Sequence, residues 1–359
     1  METLTDAERA LSELVIPLPD EAAAQAARDR WNALAKPIGS LGLLEDAVVQ
    51  MAALTGSPQV DIAQRCVAVL CADNGVVAEG VTQSGQEVTT TVAESIARGV
   101  SSVCLMCRPF GIDCLAVDMG MVHPPQVEGV LNRRIAAGTG DIAKGPAMTR
   151  AQAAQAIMAG IDLMGELKAR GYHLVATGEM GIGNTTTATA MACAFLDEDP
   201  EVLTTRGAGL SDEGLARKRA VVAQALALNK PQVDDALDVL AKLGGFDIAG
   251  MCGLFLGGAV HQVPVIVDGL ISAVAAYVAW RLRPGCRYAL LASHVSAEPA
   301  AALLLRRMGL QAPIHAGMRL GEGTGAVSLI PLLDMALSLY RDGTTFEGCG
   351  LVPYEVRSA

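Results

Sequence analysis

The chain has 359 residues, 51% of them hydrophobic and only 3% aromatic, with a formal net charge of −11. That length and apolar fraction provide for a large buried core, and they suit an α/β protein built on Ala, Val, Leu and Gly. The acidic balance, with no basic stripe or stacking aromatics in any window, argues against a nucleic-acid groove.

The N-terminal stretch METLTDAERALSELVIPLPDE is acidic and amphipathic, unlike a secretory signal, so a cytoplasmic protein is expected. Residues 1 to about 30 carry helical or irregular patterns and no strand signal. The first buried strand is predicted over Val67 to Cys71, followed by Asp73-Asn74-Gly75 and a helix near 86–100. Cys104-Leu-Met-Cys107 is the sole CxxC among nine cysteines. It has no second pair or nearby histidine, so no metal is expected, and the cysteines read as reduced, buried small hydrophobes. A second strand over Asp113 to Val117 ends in Asp118-Met119-Gly120, and a helix follows over 149–169.

The third strand, His173 to Ala176, runs into GEMGIGNTTTATA (178–190), where a helix is predicted from 184 to 196 and another from 212 to 228. Residues 249–280 are strongly apolar. His261, Gln262, Pro264 and Asp268 cut that run into pieces too short to span a bilayer, so it reads as a buried helix, strand and helix. Its strand, Val263 to Val267, ends in Asp268-Gly269. A fifth strand, Tyr288 to Ala292, ends in Ser293-His294 and precedes a helix over 297–308. Alternating buried strands and helices imply a doubly wound, mainly parallel sheet. Both termini lack strands and are expected to pack together as a small helical domain, 1–30 plus 335–359, beside an α/β body over 31–334.

In an open parallel sheet the carboxyl ends of the strands share one edge, where ligands bind. At the third of these ends, a glycine-rich turn leading into a helix converges free N–H groups and the positive end of a helix dipole, which makes an anion site. Asn184, Thr185 and Thr186 supply cap and hydroxyl donors there, and Gly181 and Gly183 allow close approach. GxxxxGK[ST] and GxSxG are absent. GxGxxA occurs at Gly138 to Ala143 and again at Gly321 to Ala326, in neither case after a convincing buried strand, which is weak support for a dinucleotide.

A second glycine-rich segment, GMRLGEGTGA (317–326), sets Glu322 in the same Gly-Glu-x-Gly context as Glu179. A solvated turn glutamate is one reading of Glu322. Two carboxylates on glycine turns at a binding edge also suit acid/base or cation-stabilising chemistry. Lys218 is either a phosphate cation or a surface helix lysine.

Several motifs in order, KPIGSLGLLE, CADNGVVAEGV, GTGDIAKGPAMT, GEMGIGNTTTATA, GGFDIAGMCGLFLGGA, PVIVDGLIS, SHVSAE and MRLGEGTGA, resemble the nicotinate-nucleotide:dimethylbenzimidazole phosphoribosyltransferases of cobamide lower-ligand assembly. The resemblance covers nearly the whole chain. It implies transfer of phosphoribose from nicotinate mononucleotide to a benzimidazole nitrogen, with release of nicotinate, in a homodimer that needs no cofactor. By similarity Glu322 is the general base and Glu179 lies beside the reacting centre. Gly181, Gly183, Asn184, Thr185, Thr186 and Lys218 hold the phosphate, while Ser84, Met180 and Leu320 line the base pocket.

The chemistry fits these residue types. Nicotinate bonded through its ring nitrogen leaves without an acid, carboxylates can stabilise the cationic ribose carbon, and a glutamate can take the acceptor's N–H proton. Asn74, Gly85 and Val92 depart from the common pattern, where histidine, proline and glutamine are frequent, and broader acceptor selectivity is expected. A noncatalytic nucleotide sensor is the competing reading, with a dehydrogenase a more distant third.

Overall fold

The structure, a computed structural model, describes residues 4–207 and 209–354. Three helices come first: α1 (Asp6–Glu13), α2 (Glu21–Ala33) and α3 (Leu43–Thr55). Thr5 and Asp20 cap the first two by accepting backbone N–H groups of the opening turn. The sheet then begins with β1 (Arg65–Ala72), which leads through α4 (Glu87–Ala97) and α5 (Ser102–Cys107) to β2 (Asp113–Gly120) and β3 (Val130–Asn132). The long α6 (Arg150–Ala169) crosses to β4 (Leu174–Met180). Beyond it lie α7 (Asn184–Leu196), α8 (Pro200–Leu203), α9 (Asp212–Asn229), α10 (Ala236–Leu243) and α11 (Phe246–Val260). The chain closes through β5 (Val265–Val267), α12 (Leu270–Leu282), β6 (Leu290–Ala292), α13 (Pro299–Arg307) and α14 (Thr324–Asp342).

The six strands are all parallel, in the order β3-β2-β1-β4-β5-β6. Central β1 is apolar on both faces because each face has its own core, as a parallel sheet requires. Cys66, Ala68 and Leu70 feed the core shared with α6, α7 and α9 to α13. Val67, Val69 and Cys71 feed the core shared with α2 to α5 and α14. The strand order reverses between β1 and β4, so the crevice there opens at the carboxyl edge, where open α/β sheets take ligands.

The apolar 249–280 run is the buried helix, strand and helix expected, formed by α11, β5 and α12. No helix among the described residues is long and apolar enough to cross a membrane. All nine cysteines are free thiols, with Cys104 and Cys107 buried on α5.

β2 runs past Val117 to Gly120, β5 and β6 begin only at Val265 and Leu290, and two further strands differ from expectation. The short edge strand β3 lies in a polar stretch with no apolar run to announce it. β4 runs past Ala176 to Met180, because Gly178, Glu179 and Met180 pair with Val69, Leu70 and Cys71 of β1. Glu179 is therefore a strand residue and not part of the glycine turn.

At the chain ends, Arg30 of α2 donates to the carbonyls of Tyr340, Arg341 and Gly343 at 2.9, 2.9 and 3.0 Å. The Trp31 and Tyr340 rings pack 5.0 Å apart. The limits at 30/31 and 334/335 fall inside α2 and α14. Helix α1 sits elsewhere, with Glu8 paired to Arg150 of α6 and the carbonyls of Leu11 and Leu14 accepting from Arg283.

Candidate active site

A cavity of about 330 Å³ opens at the carboxyl ends of β4, β5 and β6. Glu179 and Asp268 line it from the ends of β4 and β5, and His294 follows β6. Two loops complete the wall, one over 81–84 after β1 and one over 318–322 before α14. The sheet thus delivers polar groups from separate strands to one apolar-walled chamber, the arrangement small-molecule sites favour.

Glu179 is a strongly perturbed carboxyl on the chamber wall. Its Oε2 accepts from Asn184 Nδ2, and the same nitrogen donates to Asp247 Oδ2 at 2.9 Å. Loss of solvation pushes the Glu179 carboxyl up to about 8, with Asp247, Asp268 and Glu322 adding like-charge repulsion and the Asn184 hydrogen bond opposing it. Asn184 is thus engaged by carboxylates and is not the helix cap, because α7 is entered through Gly183 at φ 95°, with no side-chain cap.

The glycines of the turn answer to the protein around them. A Cβ on Gly181 would lie 2.5 Å from the Ala72 carbonyl and 2.7 Å from Asp247 Oδ2, and one on Gly183 would strike Val77. Neighbouring chain segments thus occupy the Cβ side of both glycines. Thr186 is fully buried and its hydroxyl has no partner among the described residues, so it is held away from the chamber wall, whereas Gly181, Gly183, Asn184 and Thr185 line it.

Lys218 reaches the same wall from α9. It is 1% exposed, and its Nζ donates to Thr185 Oγ1 at 2.8 Å. No carboxylate comes within ion-pair distance of it among the described residues. Burial pulls its ammonium down to about 8, against a smaller upward pull from Glu298. This is a desolvated cation facing a cavity, not a surface lysine.

Glu322 enters the chamber from the second glycine segment with φ 59°, a left-handed conformation that costs a non-glycine residue about 1 kcal/mol or more. Its Oε2 accepts the Val103 N–H at 3.2 Å, so it is neither free nor fully solvated. The two glycine segments interlock. A Cβ on Gly178 would lie 2.4 Å from the Glu322 carbonyl oxygen, and one on Gly321 would lie 2.8 Å from Glu179 Oε1. Each carboxylate therefore owes its place to a glycine beside the other. Gly178→Ala is expected to cost about 1–3 kcal/mol through overpacking. By shifting the Glu322 backbone it should also cut any turnover by about 10- to 100-fold. Paired melting and rate measurements check this, and a folded variant with wild-type turnover would exclude the steric coupling.

Ser84, Met180 and Leu320 all line the chamber, and Ser84 and Leu320 are exposed. Of the three departures noted in the sequence, only Val92 lines the cavity. Asn74 is fully buried and accepts from Thr187 Oγ1 at 3.4 Å, while the Glu87 carboxylate fills the space a side chain at Gly85 would take. The Gly138 to Ala143 loop packs on the end of β1, with Thr139 N–H donating to the Asp73 carbonyl at 3.1 Å. It lies outside the cavity wall.

Sequence reasoning assigned no role to four groups that the structure places here. Asp268 Oδ1 accepts the Ala326 N–H at 2.8 Å and so ties β5 to the first turn of α14. His294, Arg206 and Asp247 complete the set, the first two lining the cavity and Asp247 lying beneath it. Asp268 and His294 were visible as polar strand-end residues. Asp247 had one signal, a lone charge in the otherwise apolar α11.

Known proteins share this sequence and fold. Residues 16–351 match a family model described as phosphoribosyltransferase. Nicotinate-nucleotide–dimethylbenzimidazole phosphoribosyltransferase of Acetivibrio thermocellus is 42% identical over 91% of this chain and 93% of its own length. The protein of that name from Desulforudis audaxviator is 42% identical over 96% of this chain and 98% of its own length. The crystal structure of CobT from Thermus thermophilus is 37% identical and superposes with a TM-score of 0.87, covering 92% of this chain and 99% of that one.

Proposed function

The chain belongs to the nicotinate-nucleotide–dimethylbenzimidazole phosphoribosyltransferase family and has that activity in cobamide synthesis, and from this premise we propose how its residues divide the work. The observation that carries the assignment is Lys218, a buried cation beside Thr185 at the start of α7. A phosphate supplies the charge it lacks. The first-turn N–H groups of α7 and the Thr185 hydroxyl add donors.

With phosphate fixed there, the ribose carbon lies between Glu179 and Glu322. The bond from that carbon to the nicotinate ring nitrogen breaks, and its electron pair stays on nicotinate and neutralises the ring. The acceptor nitrogen bonds to the same carbon, and the proton on its other nitrogen passes to Glu322. Glu179 faces the cationic carbon as charge develops. The acceptor ring lies among Ser84, Met180, Leu320 and Val92. A homodimeric state and a cytoplasmic location belong to this reading, as does a helical appendage built by the chain ends. The test is to incubate the protein with nicotinate mononucleotide and a panel of bases. Nicotinate and an α-ribotide are expected, and a protein that binds the nucleotide without releasing nicotinate would be a sensor.

The shifted groups set a pH dependence for nucleotide binding above pH 6.5. Glu179 is protonated below about 8 in the free protein, and the pyridinium cation favours its ionised form, so affinity rises with pH toward 8. Lys218 is charged below about 8, and the phosphate favours its charged form, so affinity falls as pH rises beyond 8. Calorimetric titration should show tightest binding near pH 8, with Glu179→Gln flattening the acid side. A pH-independent affinity from 6.5 to 9.5 would contradict both assignments.

A further inference from the structure

Asp247 is the one charge on α11, a helix that is otherwise apolar, and it is fully buried. It does not line the cavity. Its Oδ2 accepts from Asn184 Nδ2 at 2.9 Å, and its Oδ1 has no partner among the described residues. Backbone N–H groups in the first turn of α11 offset only part of the cost of burying this carboxylate, and an apolar residue would incur none. Both hydrogens of the Asn184 amide are committed, one to Asp247 and one to Glu179. The site also keeps a glycine at 181, where a Cβ would press on Asp247 Oδ2 at 2.7 Å and Asn184 Nδ2 at 3.1 Å.

We propose that Asp247 is a positioning residue for Glu179, acting through the Asn184 amide that both carboxyls share. Its Oδ2 fixes the plane of that amide, which then presents its second hydrogen to Glu179. Asp247 also adds a negative charge beneath the chamber, so the pair carries a proton until a cationic ring and ribose carbon arrive above it.

The groups around the pair fit this role. Asp73 faces Asp247 from the end of β1, while Asp268 and Glu322 face Glu179 from β5 and the 317–326 segment. The cationic groups on the chamber wall are Lys218, Arg206 and Arg319, with the His294 imidazole beside them, and none bonds to either carboxyl. Burial pushes Asp247 up to about 6 and Glu179 up to about 8, so the pair titrates across the neutral range. The inference rests on the transferase reading for its purpose, but not for its detection.

The test is carboxyl carbon-13 titration of the full-length, substrate-free protein, with the Glu179 resonance identified by its loss in Glu179→Gln. Asp247→Asn keeps the shape of the side chain and an oxygen that can accept from Asn184, so it should fold. With one negative charge removed, the Glu179 resonance should titrate lower by about half a pH unit or more. The acid limb of kcat/KM should move the same way, and in a Glu179→Gln background the substitution should move no limb. A Glu179 resonance that titrates as in the wild type in folded Asp247→Asn would overturn the proposal. So would a limb that still moves without Glu179. A shifted resonance in a protein with no transferase activity would overturn the functional reading alone.

Discussion

Glu322→Gln is expected to lower turnover by about 10²- to 10⁴-fold while leaving the fold and nucleotide binding nearly unchanged. Gln preserves the size of the side chain and can still accept the Val103 N–H with its amide oxygen. What it loses is the capacity to take a proton and the negative charge near the developing cation, and the second loss deepens the first. The left-handed backbone at 322 is no obstacle, since Gln bears the same constraint as Glu. Saturating both substrates and reading kcat isolates the bound complex. Turnover within about threefold of wild type would move proton removal to another group. Glu179→Gln should cost less if that carboxyl acts only by charge, so the ratio of the two deficits separates the roles.

Lys218→Met should weaken nicotinate mononucleotide binding by about 30-fold or more, the usual cost of removing one partner of a desolvated charge pair, which is about 2–5 kcal/mol. The free protein should become more stable, because a buried cation with no counter-charge is replaced by an apolar chain of similar length. The sign with pH follows from the lowered value. Below about 8 the lysine is charged in both native and unfolded states, and the native state bears the full desolvation cost. Between about 8 and the unfolded value near 10.4 the native state sheds its proton first, and the cost fades. The stability gain of Lys218→Met should therefore be complete below pH 8 and shrink above it. Melting curves with and without nucleotide give both quantities. A variant whose affinity stays within threefold of wild type would remove Lys218 from the phosphate site.

Local sequence made part of this legible. The buried runs at 67–71 and 263–267 read as sheet interior, as most of each proves to be, and their polar ends marked the edge where the cavity opens. The two Gly-Glu-x-Gly segments do converge on one chamber, as their shared pattern suggested. Other features escaped because long-range contacts determine them. Gly178 reads as a turn residue on its own, and it is held in β4 by pairing with β1, with a side chain excluded by the Glu322 carbonyl from far along the chain. Asn184 reads as a cap, yet two carboxylates from other elements engage its amide. Asp247 lies in a helix whose composition signals only core.

The interlock of the glycine segments bears on how this site can vary. Gly178 makes room for the backbone of Glu322, and Gly321 makes room for the carboxylate of Glu179. Neither glycine tolerates a side chain without moving the other segment's acid, so a single substitution at either is penalised whatever its local merit. Segments 176–186 and 317–326 are therefore sterically one unit despite their separation in the chain. Recombinants that exchange them together keep the steric match, whereas crossing over between them pairs loops that never shaped each other.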